Sequence, residues 1–177
     1  MKSLIDILRH PYLLLNRVAE RIYPDAKSPV AAHQRLRSRR NKIHFFELSD
    51  YEKLRDEFSA FADELDQIAQ NLEALNPSTP GALQEVMHIT THPWVKKKLV
   101  LTKVAEKCEL TYYTVYDGLR GKNQSLPKKF VPTLAREYTG FAGWLRKRLE
   151  RAEKEKEKYR FGLGKGGAGH RKKRKKK

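Results

Sequence analysis

Apolar positions recur at helical spacing through most of the chain. Leu54, Phe58, Phe61 and Leu65 step by four, three and four residues, so they share one face of a helix, and Ile68, Leu72 and Leu75 extend the stripe. The same spacing returns at Leu134, Tyr138, Phe141 and Leu145. Ser49-Asp50 offers an N-cap for the first long helix. Pro127 and Pro132 mark the start of the second, with Pro132 tolerable only in a first turn. No alternation of apolar and polar residues reads as a strand; Ile43-His44-Phe45-Phe46 comes nearest and suits a short extended loop. The expected class is all-α.

The helical stripes belong to a larger repeat. His10-Pro11-Tyr12 returns as His92-Pro93-Trp94, Val18-Ala19-Glu20-Arg21 as Val104-Ala105-Glu106-Lys107, and Leu36-Arg37 as Leu119-Arg120. With the long stripes, the offsets are 82, 86, 83 and 80, in the same order along the chain. Four ordered matches argue for two diverged copies of one unit. The expected plan is two repeated helix-turn-helix bundles: a first module over residues 1–76 with a long C-terminal helix, and a second over 82–158. A linker at 77–81, rich in Pro, Ser and Thr, joins them, and a disordered tail follows at 159–177.

Charge changes the picture from fold to partner. Of the 177 residues, 38 are Lys or Arg and 21 Asp or Glu, a formal net charge of +17. Residues 1–76 hold 12 basic and 12 acidic groups, residues 77–145 hold 10 and 5, and residues 146–177 hold 16 and 4. The excess points to an anionic partner, nucleic acid or an acidic membrane surface, rather than to a near-neutral metabolic enzyme. The tail ends in Arg171, Lys172, Lys173, Arg174, Lys175, Lys176 and Lys177 after a Gly-rich stretch, and has too few apolar groups to offset its ordering entropy. It reads as a generic polyanion-binding arm. Its Gly162-Leu163-Gly164-Lys165-Gly166-Gly167 has the letters of a dinucleotide fingerprint but lacks the strand before and the helix after it. A single Cys108 excludes a disulfide framework. No apolar run approaches the ~18 residues of a membrane span, and no signal peptide is evident. A cytoplasmic, nucleoid-associated protein is expected.

The chemistry concentrates in copy two. Leu101-Thr102-Lys103-Val104-Ala105-Glu106-Lys107-Cys108-Glu109-Leu110-Thr111-Tyr112-Tyr113-Thr114-Val115-Tyr116-Asp117-Gly118-Leu119-Arg120-Gly121 reads as two short helices meeting at a tight turn. Small Ala105 allows close approach, Leu110 plugs the turn, Thr111 can cap the second helix, and Val115 and Leu119 face inward. Gly121 stands where a left-handed stop is wanted. This pattern is similar to the helix-turn-helix of the phage-repressor-like (lambda-repressor-like) family over roughly residues 99–145. It departs at Glu109, where that family usually has Gly, and a non-Gly residue there carries a backbone cost. In copy one, Ala19, Ser28, Ala32 and Leu36 take the places of Ala105, Thr111, Val115 and Leu119, with a turn three residues longer. Ser28-Pro29 remains a good helix start.

What the resemblance implies is double-stranded DNA binding, with each second helix in a major groove. Gln34 could pair with adenine and Arg35 with guanine. Arg37, Arg39, Arg40 and Lys42 would neutralise phosphates. In copy two the outward set is Thr111, Tyr112, Tyr113, Thr114, Tyr116 and Arg120, with Lys122 beyond. A transcriptional regulator or an accessory factor of a phage or mobile element is the expected role. A nucleic-acid packaging protein and an RNA-binding protein are the alternatives. The tyrosines could instead be packing residues. His88 and His92, four apart with Glu85 nearby, suit packing or capping better than a metal site, which needs more ligands. No catalytic arrangement and no cofactor are expected. The long stripe through residues 68–75 leaves open a homodimer through the amphipathic helices.

Overall fold

The computed structural model describes residues 2–41, 47–76, 81–122 and 126–157. Among them run eight helices and no strand: α1 (Lys2–Leu8), α2 (Leu15–Ile22), α3 (Pro29–Asn41), α4 (Leu48–Ala74), α5 (Ala82–Ile89), α6 (Lys97–Lys107), α7 (Tyr112–Leu119) and α8 (Phe130–Lys156). The all-α expectation is therefore met. No helix among the described residues is long and apolar enough to cross a membrane. Lys42, the segment 43–46, linker residues 77–80 and the basic residues 171–177 lie outside the described residues.

Both long stripes are buried. Leu54, Phe58, Phe61, Leu65, Ile68 and Leu72 line the inner face of α4, and Leu134, Tyr138, Phe141 and Leu145 that of α8. Pro132 falls in the first turn of α8, where no intrahelical N–H is lost. The start of α4 differs from expectation. Glu47, not Ser49 or Asp50, is the N-cap, and Asp50 at the third helical position accepts the Glu47 N–H at 3.5 Å. Asp50 is buried, and its carboxylate also takes the Tyr23 hydroxyl at 2.9 Å and Arg39 Nε at 2.8 Å. Those tertiary bonds fix its place inside the helix.

The two halves share one core. α4 and α8 pack along each other, α1 rests on α8, and one hydrophobic cluster runs through both copies. Ser3 donates from its N–H (3.1 Å) and hydroxyl (2.7 Å) to Glu155, and Arg148 pairs with Asp6 at 3.0 Å, pinning α1 to α8.

At the centre, the chain segments before α2 and α6 pair antiparallel. Leu14 N–H donates to the Trp94 carbonyl and Lys96 N–H to the Tyr12 carbonyl, each at 2.7 Å, so Leu13 sits opposite Val95. Leu13 and Val95 are equivalent positions, 82 apart. Antiparallel pairing of equivalent residues is what a local two-fold axis produces. The neighbouring contacts obey the same axis. His10 stacks on Phe141 with centroids 4.3 Å apart, and His92 lies against Phe61 at 4.7 Å. Arg21 pairs with Glu57 at 2.5 Å and covers the Trp94 ring at 5.5 Å. On the other side Lys107, the counterpart of Arg21, pairs with Glu137, while it is Lys103, also paired with Glu137 at 2.9 Å, that covers the Tyr12 ring at 5.3 Å. Phe61 meets its own counterpart Phe141 edge to face at 5.8 Å. Each copy thus inserts its His-Pro-aromatic segment against the other copy's long helix. Aromatic pairs of this kind add about 0.5–1.5 kcal/mol each beyond area burial.

Candidate nucleic-acid interface

One left-handed residue builds the α6–α7 turn, and a second closes α7 beyond it. α6 ends with Glu109 at φ 62°, and Leu110 N–H reaches the Ala105 carbonyl (2.9 Å) while Glu109 N–H reaches that of Glu106 (3.1 Å). This satisfies carbonyls left open at the helix end, as a glycine-terminated helix does. The expected strain at Glu109 is thus present, about 1–2 kcal/mol for a left-handed non-Gly residue. Thr111 Oγ1 then accepts the Thr114 N–H at 3.1 Å and caps α7. α7 closes with Gly121 at φ 73°, where Lys122 N–H bonds to the Asp117 carbonyl at 3.0 Å.

Between its stops, α7 turns Val115, Gly118 and Leu119 into the core. Its outer side carries an aromatic ladder. Lys98 Nζ sits 5.3 Å over the Tyr112 ring, Tyr112 stacks on Tyr116 with centroids 5.8 Å apart, and Arg120 lies 5.4 Å over Tyr116. Tyr112 and Tyr116 are half-buried in this ladder, so the packing alternative applies to part of each ring. Burial pushes the Tyr112 hydroxyl above the ordinary phenol range, helped by Tyr116 and Tyr113. Tyr113 is 73% exposed. Thr111 and Arg120 are exposed and Thr114 is half-buried. Lys122 is exposed, 3.9 Å from Asp117.

α2 and α3 present a parallel arrangement. Ser28 Oγ accepts the Ala31 N–H at 3.2 Å, Pro29 opens α3, and Ala32 and Leu36 are buried. Val30, the counterpart of Tyr113, is 65% exposed. Gln34 and Arg37 project outward. Arg35 is exposed too, with its guanidinium 4.2 Å over the Tyr23 ring and 3.6 Å from Asp25.

Two of the expected phosphate contacts are placed elsewhere. Arg39 turns inward with an 18% exposed side chain, held by Asp50 at 2.8 Å and Glu47 at 3.3 Å; its charge is already neutralised. Arg40 is half-buried, with its Nε enclosed and without a partner among the described residues. It lines a cavity of about 320 Å³ with Arg9, His10, Leu14, Asn16, His33 and Lys96, and no acidic residue borders it.

Sequence reasoning missed Lys96, Lys98 and Arg9. The run Lys96-Lys97-Lys98 was a usable signal, although the fold splits it. Lys97 turns inward to the Met87 carbonyl and to Thr91 Oγ1 (3.0 Å), and burial lowers its ammonium below the ordinary amine range. His92 takes a packing and capping role: Nε2 is 2.6 Å from Glu64, and Nδ1 accepts the Trp94 N–H at 3.1 Å. His10 accepts the Tyr12 N–H in the same way at 3.3 Å. Cys108 is buried. No protein-family model, no curated protein and no solved structure matches this chain.

Proposed function

We propose that this chain binds double-stranded DNA, with α3 and α7 as the second helices of two helix-turn-helix units similar to those of phage-repressor-like proteins. The observation that carries the reading is the division of α7. Val115 and Leu119 fix it to the core, while Tyr113 stands out against Tyr112 (5.8 Å), on a rod whose outer ladder is flanked by Lys98 over Tyr112 and Arg120 over Tyr116. A helix of that kind fits a major groove about 12 Å wide. Tyr113 and Val30 would offer apolar edges to thymine methyl groups, and Gln34 a bidentate pair for adenine. Arg37, Arg120 and the cavity rim of Arg9, His33 and Lys96 would set register on phosphates. The tail, residues 159–177, would add sequence-independent attraction. A regulator of transcription or an accessory factor of a mobile element, working at the nucleoid, is the role that follows.

Alanine variants test it by binding to duplexes selected from a random pool. Tyr113→Ala and Gln34→Ala should each reduce preference for the selected duplex by ~10-fold or more while leaving bulk-DNA affinity within a few-fold. Uniform loss across all sequences would make them phosphate or packing residues instead. Removing residues 162–177 should weaken all duplexes about equally and flatten the dependence on salt. A loss confined to the selected site would contradict the generic-arm reading.

A further inference from the structure

From the internal two-fold axis we infer that one chain reads a single inverted repeat of two unlike half-sites, doing alone what a symmetric dimer does on a palindrome. The inference rests on the DNA-binding reading above and adds the geometry of the target.

The axis passes through the Leu13–Val95 pair, because equivalent residues there exchange hydrogen bonds antiparallel. Tyr12 and Trp94 carry this ribbon on the long helices, packing against Phe141 (5.4 Å) and Phe61 (5.1 Å). α3 flanks the ribbon: its His33 and Arg40 share a cavity wall with Leu13, Leu14 and Lys96. α7 flanks it from the second copy, where Lys98, two residues past the ribbon, covers Tyr112. The two exposed helices therefore straddle one axis, related by rotation rather than by translation along the chain.

B-DNA has local two-fold axes perpendicular to its length. A protein whose readers are related by rotation meets equivalent groove edges only when the half-sites are inverted. A direct repeat would present the second helix with a groove running the wrong way. The half-sites must also differ. Val30, Gln34 and Arg37 on α3 face Tyr113, Asp117 and Arg120 at the corresponding positions of α7. Gln34 can both donate to and accept from an adenine edge, whereas its counterpart Asp117 only accepts, from a cytosine or adenine amino group. The shared core between the copies holds the spacing rigid, so no second chain is needed.

The test uses the full chain and the duplex selected from a random pool. Its two half-sites are assigned by footprinting Tyr113→Ala and Gln34→Ala, then rebuilt at equal spacing in inverted and in direct orientation. The inverted duplex should bind as one chain per duplex, ~100-fold or more tighter than the direct one, because two or three base contacts are lost on turning a half-site. Tyr113→Ala should open protection over one half-site and Gln34→Ala over the other. Equal affinity for both orientations, two chains per duplex, or one chain bridging two duplexes would overturn the inference while leaving DNA binding intact. Failure to bind any duplex would overturn the functional reading and this inference together.

Discussion

Replacing Glu137 with Gln removes one charge from the junction of the two copies while keeping the shape of the side chain. Glu137 is 9% exposed and accepts from the Tyr12 hydroxyl at 2.5 Å, from Lys103 at 2.9 Å and from Lys107. Burial alone would raise its carboxyl. The Lys107 ammonium, the Tyr12 hydroxyl and Lys103 outweigh that and hold it at about 2 instead of 4.5. A gap of that size corresponds to about 3 kcal/mol of stability in the ionised state. Both lysine side chains are about half exposed, at 51% and 49%, so screening reduces the expected cost of Glu137→Gln to about 2 kcal/mol. For a chain of this length that is a fall of about 4–8 °C in Tm. The folded carboxyl lies below its unfolded value, so its contribution is complete above about 4.5 and fades as pH falls toward 2. Urea melts at pH 7 and pH 3 should therefore show a difference of about 2 kcal/mol that shrinks to about 1 kcal/mol or less. An equal difference at both pH values would mean that packing, not charge, holds the junction. No difference at pH 7 would refute the reasoning altogether.

Two other perturbations probe the same framework. Glu109→Gly should relieve a left-handed strain of about 1–2 kcal/mol against a loss of about 0.5–1 kcal/mol in backbone entropy. A net gain of about 0 to 1.5 kcal/mol is expected in thermal melts; destabilisation would contradict the turn geometry. The stacked histidines make the fold acid-sensitive well above the carboxylate range. Burial, with Lys103 adding to it and Glu137 opposing, lowers His10 to about 4, and burial also lowers His92 despite Glu64. Each is held neutral below the pH at which the unfolded chain protonates it, so stability is lost as pH falls below about 6.5, for His10 down to about 4. Proton NMR should find His10 titrating near 4; titration near 6.5 would show that it is not enclosed.

Local rules reached far into this fold. The stripes at Leu54, Phe58, Phe61 and Leu65 and at Leu134, Tyr138, Phe141 and Leu145 place α4 and α8, and the caps at Ser28 and Thr111 place α3 and α7. These features depend on neighbours within a turn or two. The sorting of the basic run did not follow from such rules. Arg37 and Arg39 are chemically alike, yet Arg39 is consumed by Asp50, which reaches it only through the packing of α4. The same long-range bonds moved the α4 cap from Ser49-Asp50 to Glu47. The way the two halves interlock was not visible in sequence. His10 and Phe141 are distant in sequence, and no periodicity joins them. For the candidate interface, the outward set of α7 was legible from Val115 and Leu119 alone, whereas the cavity of Arg9, His33, Arg40 and Lys96 needed three elements in place.

The most direct measurement is the ratio of affinities of the full chain for a duplex selected from random sequence and for bulk duplex DNA, taken at physiological salt. Two helices reading base edges should give a ratio of ~10³ or more. A ratio near one, with a steep salt dependence shared by every sequence and by RNA, would leave only charge at work and contradict the reading of α3 and α7.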